Sequence, residues 1–427
     1  MKKLVLAAML LLGAMELLRA TPLEDYVHAP DTNFAWRVLE MGQHDGFTVT
    51  RIGFISQEWQ GGLWTNFIWI VQPPKLRNPQ YAALIIGGDQ GTNMLREATN
   101  AAWHAGAWVV ALSRVPNQPL YGGLKEDDLV AYTFDQYLKT GDDTWPLLLP
   151  MVKSAVRAMD LTQLWLKSQQ LPAPEKFVVT GASKRGWMTW LTAAVDDRVA
   201  AIAPRVFDML NMKVQTEWAK KVYGHQTEKI QAYTKLGLVD KMDTPGMQRL
   251  CGFADPYAYR DRYVMPKLLL LGANDPYWTV DSLRNYWDGL PGPKLVYVAP
   301  NTGHALARDS QNSFAAFFEL IADGHALPEM SWEMNGNGHP RVKVTFDQPV
   351  KAARLWTAAA ATRDFRQAKW ASQPMLLVPG VQAVSASVAP PARGYLAFMV
   401  ELTFASAGGD YKLSTPVQVT PDDIRLP

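Results

Sequence analysis

The chain has 427 residues, 48% of them apolar and 19% charged, with a formal charge of +2. That length exceeds one ordinary domain, and that composition excludes a disordered or low-complexity polymer. A single cysteine, Cys251, excludes an intramolecular disulfide and a cysteine-built metal centre.

The N-terminus, MKKLVLAAMLLLGAMELLRATPLEDY, sets two lysines before an apolar run from Leu4 to Met15 and offers a cleavage point at Ala20-Thr21. This is the layout of a secretory signal over residues 1–20, too short for a membrane span of roughly 20 apolar residues. Its removal takes Lys2, Lys3, Arg19 and Glu16, so that 42 basic and 40 acidic residues become 39 of each. The expected product is secreted or periplasmic, neutral, without a membrane span and without a basic field for nucleic acid.

From about residue 45 to 325, short strand-like runs alternate with helical ones. TVTRIGFISQEW and WTNFIWIVQP alternate apolar and polar residues, as antiparallel strands do. YAALIIGG, KFVVTG, VAAIAPRVFD, PKLLLLGAND and KLVYVAP are continuous apolar runs of the kind found in parallel strands buried on both faces. Helical spacing lies between them, notably in LLLPMVKSAVRAMDLTQLWLKSQQ. The expected core is a mostly parallel α/β sheet over residues 21–327, with its ligand at the carboxyl ends of the strands. Between VFDMLN and DRYVMPKLLLL, about 209–262, a stretch rich in helix formers reads as a helical cap. After residue 328, period-two runs punctuated by Gly, Pro and Asn read as an immunoglobulin-like β-sandwich over residues 328–427.

A serine hydroxyl becomes nucleophilic when an imidazole takes its proton and a carboxylate orients that imidazole. In α/β hydrolases these residues follow in the order Ser, acid, His, each after a strand. Ser183 follows KFVVTG, Asp275 follows KLLLLGAN, and His304 follows KLVYVAPNTG. Each alone has a plainer reading, as a turn or cap residue; together they match the order. Asp208, after the next strand, is a second candidate for the acid, and the sequence leaves the choice open. The backbone N–H of Lys184 and the loop at Gly88, in IIGGDQG, are the candidate oxyanion hole. Arg185, Asp89, Gln90 and Trp278 are candidate substrate contacts. The glycine that usually sits two residues after the serine comes one residue late, at Gly186. No dinucleotide fingerprint, phosphate loop or H-E-x-x-H is present, so neither a metal nor a cofactor is expected.

The stretches TPLEDYVHAPDTNFAW, RVPNQPL, LPMVKSAVRAMD, GASKRGWMTWLTAAVDDRVAAIAP, DPYAYRDRYVMPKL and APNTGH resemble the PhoPQ-activated pathogenicity-related protein family. The resemblance implies an exported α/β-hydrolase-fold protein with a serine-centred site, its elbow at Ser183, its acid at Asp275 and its histidine at His304. GGDQGTN and NQPLYGGLKEDDL depart from the family's usual wording. Glucuronoyl esterases are similar at the elbow alone, where G-x-S-x-x-G carries a cation directly after the serine, the place of Lys184. The expected activity is ester hydrolysis through an acyl-enzyme, on a small-molecule, carbohydrate or uronic ester. A serine peptidase, and a non-catalytic secreted signalling or envelope-binding protein on a hydrolase scaffold, are the alternatives.

Overall fold

The computed structural model describes residues 20–88, 92–335 and 340–424. The expected signal, apart from Ala20, lies outside the described residues, as do Asp89 and Gln90.

Nine strands form one sheet: β1 (Ala35–His44), β2 (Phe47–Trp59), β3 (Gly62–Gln72), β4 (Tyr81–Ile86), β5 (Trp108–Ser113), β6 (Lys176–Ala182), β7 (Val199–Arg205), β8 (Lys267–Gly272) and β9 (Lys294–Ala299). Their order is β1-β2-β3-β5-β4-β6-β7-β8-β9. Pairing is antiparallel from β1 through β3 to β5, and parallel from β5 across to β9. The parallel strands are apolar on both faces because both are covered. Leu84 and Ile86 of β4 enter one core with Met151 and Met159; Ala83 and Ile85, pointing the other way, enter a second with Phe314 and Phe317.

The helices that supply those faces are α1 (Pro22–His28), α2 (Thr92–Ala105), α3 (Glu126–Thr140), α4 (Leu148–Ser168) and α5 (Lys184–Val195). After β7 come α6 (Met212–Tyr223), α7 (Gln231–Thr234) and α8 (Pro245–Ala254), with short 3-10 turns between them; α9 (Arg308–Ala322) follows β9. Among the described residues no helix is long and apolar enough to cross a membrane.

The C-terminal strands are β10 (Met330–Asn335), β11 (Arg341–Phe346), β12 (Ala352–Ala360), β13 (Ala371–Pro374), β14 (Ala383–Ser387), β15 (Tyr395–Ser406), β16 (Gly409–Ser414) and β17 (Gln418–Thr420). They make two antiparallel sheets of three and five strands. Val342, Val344 and Val384 of one share a buried cluster with Leu355, Phe398 and Val400 of the other. The connection between β12 and β13 reaches back to the large sheet. There Asn274 Nδ2 donates to the carbonyls of Phe365 (3.0 Å) and Ala368 (2.7 Å), and Asn301 exchanges two 2.9 Å bonds with the Trp370 backbone. Because β4 and β6 to β9 run parallel, the loops carrying Gly88, Ser183, Asp208, Asp275 and His304 all leave the same edge of the sheet.

Candidate active site

Ser183 stands between β6 and α5 with φ 58° and ψ −127°. A non-glycine residue rarely adopts this backbone, and the strain holds only because the surroundings fix it. Here Ser183 N donates to Arg205 O (2.9 Å) and Ser183 O accepts from Trp187 N (3.0 Å). The structure accounts for the late glycine. A Cβ on Gly186 would lie 2.8 Å from Arg205 O and 3.0 Å from Phe207 Cβ, and one on Gly181 would lie 2.7 Å from Arg185 O. The elbow therefore needs its second glycine where α5 crosses the end of β7, one residue later than the usual pattern places it.

Asp275 and His304 are brought together. His304 Nδ1 lies 2.8 Å from Asp275 Oδ2, and Asp275 Oδ1 accepts from Tyr277 N (2.9 Å). Their loops are tied by the bond from Asn274 N to Thr302 O (2.9 Å). His304 Nε2, the atom that faces away from the carboxylate, is buried without a hydrogen-bond partner. Tyr277, which the sequence did not single out, stacks on the imidazole with ring centroids 4.2 Å apart. Its hydroxyl donates to Asp127 (3.3 Å), and burial, with Asp127 beside it, pushes the phenol up to about 12.

Asp208 takes a different partner. It is buried and accepts from Tyr286 Oη at 2.5 Å. Burial raises its carboxyl to about 7 against that hydrogen bond, helped by the charges of Asp275 and Asp281. The imidazole is bonded to Asp275, not to Asp208.

The two cations after the serine point to an acidic helix start that sequence reasoning missed. Lys184 Nζ lies 2.6 Å from Glu126 Oε2 and 3.1 Å from Asp127 Oδ1. Arg185 grips Glu126 with two nitrogens, at 2.7 and 2.8 Å, and donates its Nε to Val115 O (2.6 Å). Lys184 and Arg185 are both buried, so they need these partners. Although burial alone would raise it, Arg185 and Lys184 hold the Glu126 carboxyl down to about 2. The only cue in the sequence was the acidic run Glu126-Asp127-Asp128, which reads equally well as an ordinary acidic first turn. The side chains of Lys184 and Arg185 are thus occupied by protein carboxylates.

As the first residue of α5, Lys184 has a backbone N–H without an intrahelical acceptor. Gly88 lies directly over Arg185: a Cβ there would come within 2.4 Å of the guanidinium. Arg114 N donates to Gly88 O (2.9 Å), which fixes this loop to the chain after β5. Trp278 and Ser183 line the same cavity, beneath α6 to α8. Among the described residues no cluster of three His, Cys, Asp or Glu could hold a metal ion.

The sequence pattern of the PhoPQ-activated pathogenicity-related protein family matches residues 23–366. This chain belongs to that family. It is 31% identical over 397 residues to the Autocrine proliferation repressor protein A of Dictyostelium discoideum, covering 86% of this chain and 80% of the relative. Among solved structures it is similar to the acetyl xylan esterase of Paenibacillus sp. R4, at a TM-score of 0.51 and 13% identity over 70% of this chain and 91% of that one. The acetyl xylan esterase 1 of Thermoanaerobacterium sp. JW/SL YS485 superposes at 0.50 and 15% identity, with the same coverages. The fold of this family member is that of the α/β hydrolases, followed by antiparallel C-terminal sheets.

Proposed function

We propose that this protein is an exported serine hydrolase that cleaves carboxylic esters through an acyl-enzyme. In this reading Ser183 Oγ attacks the ester carbonyl and passes its proton to His304 Nε2. Asp275, bonded to Nδ1, fixes the tautomer and stabilises the imidazolium that forms. The developing oxyanion is held by the backbone N–H groups of Lys184 and of the Gly88 loop. His304 returns the proton to the leaving alcohol, and water then releases the acid by the same route. Glu126 and Asp127 neutralise the cations behind the serine, which keeps the start of α5 seated. The division into a signal over 1–20, a hydrolase unit over 21–327 with a cap near 209–262, and a β-sandwich over 328–427 belongs to the same proposal.

The observation that carries the reading is the 2.8 Å pair of His304 and Asp275, which shares one sheet edge with a serine held at φ 58°. The experiment is intact-mass labelling of the mature protein by a fluorophosphonate. We expect one adduct, absent in Ser183→Ala and strongly slowed in His304→Ala. A folded wild-type protein that takes no label from a panel of such probes, large and small, would overturn the proposal.

A second reading is favoured by one finding. The Dictyostelium relative is named as a proliferation repressor, which suits a secreted signalling protein on a hydrolase scaffold. Under that reading Ser183→Ala would leave its action on cells unchanged, whereas a hydrolase-dependent action would be lost.

A further inference from the structure

We infer that the ester carries an apolar acyl chain, and that the space between the cap and the sheet is the site that receives it. The inference rests on the hydrolase reading and adds the substrate class. Ser183 lines a cavity of about 100 Å³ beneath α6 to α8. The cap supplies most of the wall, including Met212, Ile230, Leu238, Met242, Met247 and Leu250. The sheet side adds further apolar surface at Phe134, Trp187 and Phe207.

Three polar side chains of this wall are already partnered within the protein, whereas Trp278 Nε1 is buried without a hydrogen-bond partner. Lys184 is held by Glu126 and Asp127, Tyr277 Oη donates to Asp127, and Thr216 Oγ1 donates to Lys213 O at 2.8 Å. A sugar placed here would find one free donor, Trp278 Nε1, and would leave most of its hydroxyls against methionine and leucine, stripped of water. An alkyl chain has no such penalty, and unbranched methionine side chains adapt to a flexible guest. The cavity therefore disfavours a sugar acid as the acyl group, the uronic ester that the likeness at the elbow suggested.

Cys251, the one cysteine, lines this cavity on α8, where a larger side chain would fill the space an acyl chain needs. Burial pushes its thiol up to about 12, so it is a poor nucleophile, and occupancy is read by titration calorimetry with a fatty acid, without turnover.

The test takes the mature chain through 4-nitrophenyl esters with one alcohol and straight acyl groups from acetyl to hexadecanoyl. We expect kcat/KM to rise about fourfold per methylene over the first several carbons. Calorimetry should detect binding of decanoate to the wild type and to Ser183→Ala alike, and none of acetate; no decanoate binding to either would overturn the acyl-chain site. Cys251→Trp, checked for folding by circular dichroism, should lower the octanoyl-to-acetyl rate ratio at least tenfold. An enzyme that accepts the fluorophosphonate yet is flat across the series, or fastest on acetyl, overturns the acyl-chain site and leaves the hydrolase reading standing. A chain that binds decanoate but takes no label and cleaves no ester overturns the hydrolase reading and leaves only an acyl-binding cavity.

Discussion

Replacing Glu126 by Gln keeps the shape of the side chain that Lys184 and Arg185 share and removes its charge. The fall of this carboxyl from an ordinary 4.5 to about 2 corresponds to ~3.4 kcal/mol at 1.36 kcal/mol per decade of proton affinity. The carboxylate is partly in solvent, and Asp127 still faces Lys184, so screening reduces this to about 2 kcal/mol. The folded-state value is depressed, so the stabilisation is fully present above pH 4.5 and is lost as pH falls toward about 2. Urea unfolding midpoints of the wild type and Glu126→Gln, measured from pH 7 down to pH 2.5, provide the assay. At pH 7 the variant should unfold earlier by the equivalent of about 2 kcal/mol, with the gap closing below pH 5. Fluorophosphonate labelling at pH 7 should also slow, because the helix that presents Ser183 starts on these two cations. Equal midpoints at pH 7, or a gap that persists unchanged at pH 3, would refute the linkage of Glu126 to the elbow.

Asp208→Asn keeps an acceptor for Tyr286 and removes a carboxyl whose burial raises it from 3.8 to about 7. The folded chain holds this proton where the unfolded chain has lost it, so ionised Asp208 opposes folding increasingly from pH 4 to pH 7. The variant should raise the unfolding midpoint at pH 8 but not at pH 4, and should still take the fluorophosphonate. Asp275→Asn should instead slow labelling by about 10³–10⁴-fold, since it removes the group that orients His304. Equal effects of the two Asp substitutions on labelling would count against this assignment. Gly186→Ala adds a methyl 2.8 Å from Arg205 O, which should lower the thermal midpoint by the equivalent of ~1–3 kcal/mol despite alanine's better helix propensity. A rise in that midpoint would show that the crossing of α5 and β7 has room to spare. Asn301→Ala removes both bonds to the Trp370 backbone and should destabilise by ~1–3 kcal/mol. It should also slow labelling, because Asn301 lies three residues before His304; unchanged labelling would detach the C-terminal sheets from the site.

Local chemistry made much of this protein legible. Runs such as YAALII and KLLLLG are apolar at successive positions, short and bounded by glycine, as strands covered on both faces are. Strand after strand of this kind dictated a parallel sheet, and a parallel sheet dictated which loops share an edge. Ser183, Asp275 and His304 could be placed there because they lie one, three and five residues beyond the ends of β6, β8 and β9. What tertiary structure alone decided depends on distance in the chain. Asp208 and Asp275 both follow strands that end at this edge, and only the folded loops bring Asp275, not Asp208, to His304. Glu126 lies far before the cations it neutralises, and no periodicity links an acidic helix start to a later elbow. The cavity wall is gathered from segments spread between Asp127 and Trp278, whose methionines and leucines look, in sequence, like any other core. A strand or a turn is set by its own neighbours, but an ion pair or a binding cavity exists only where segments remote in sequence meet, and packing determines those meetings.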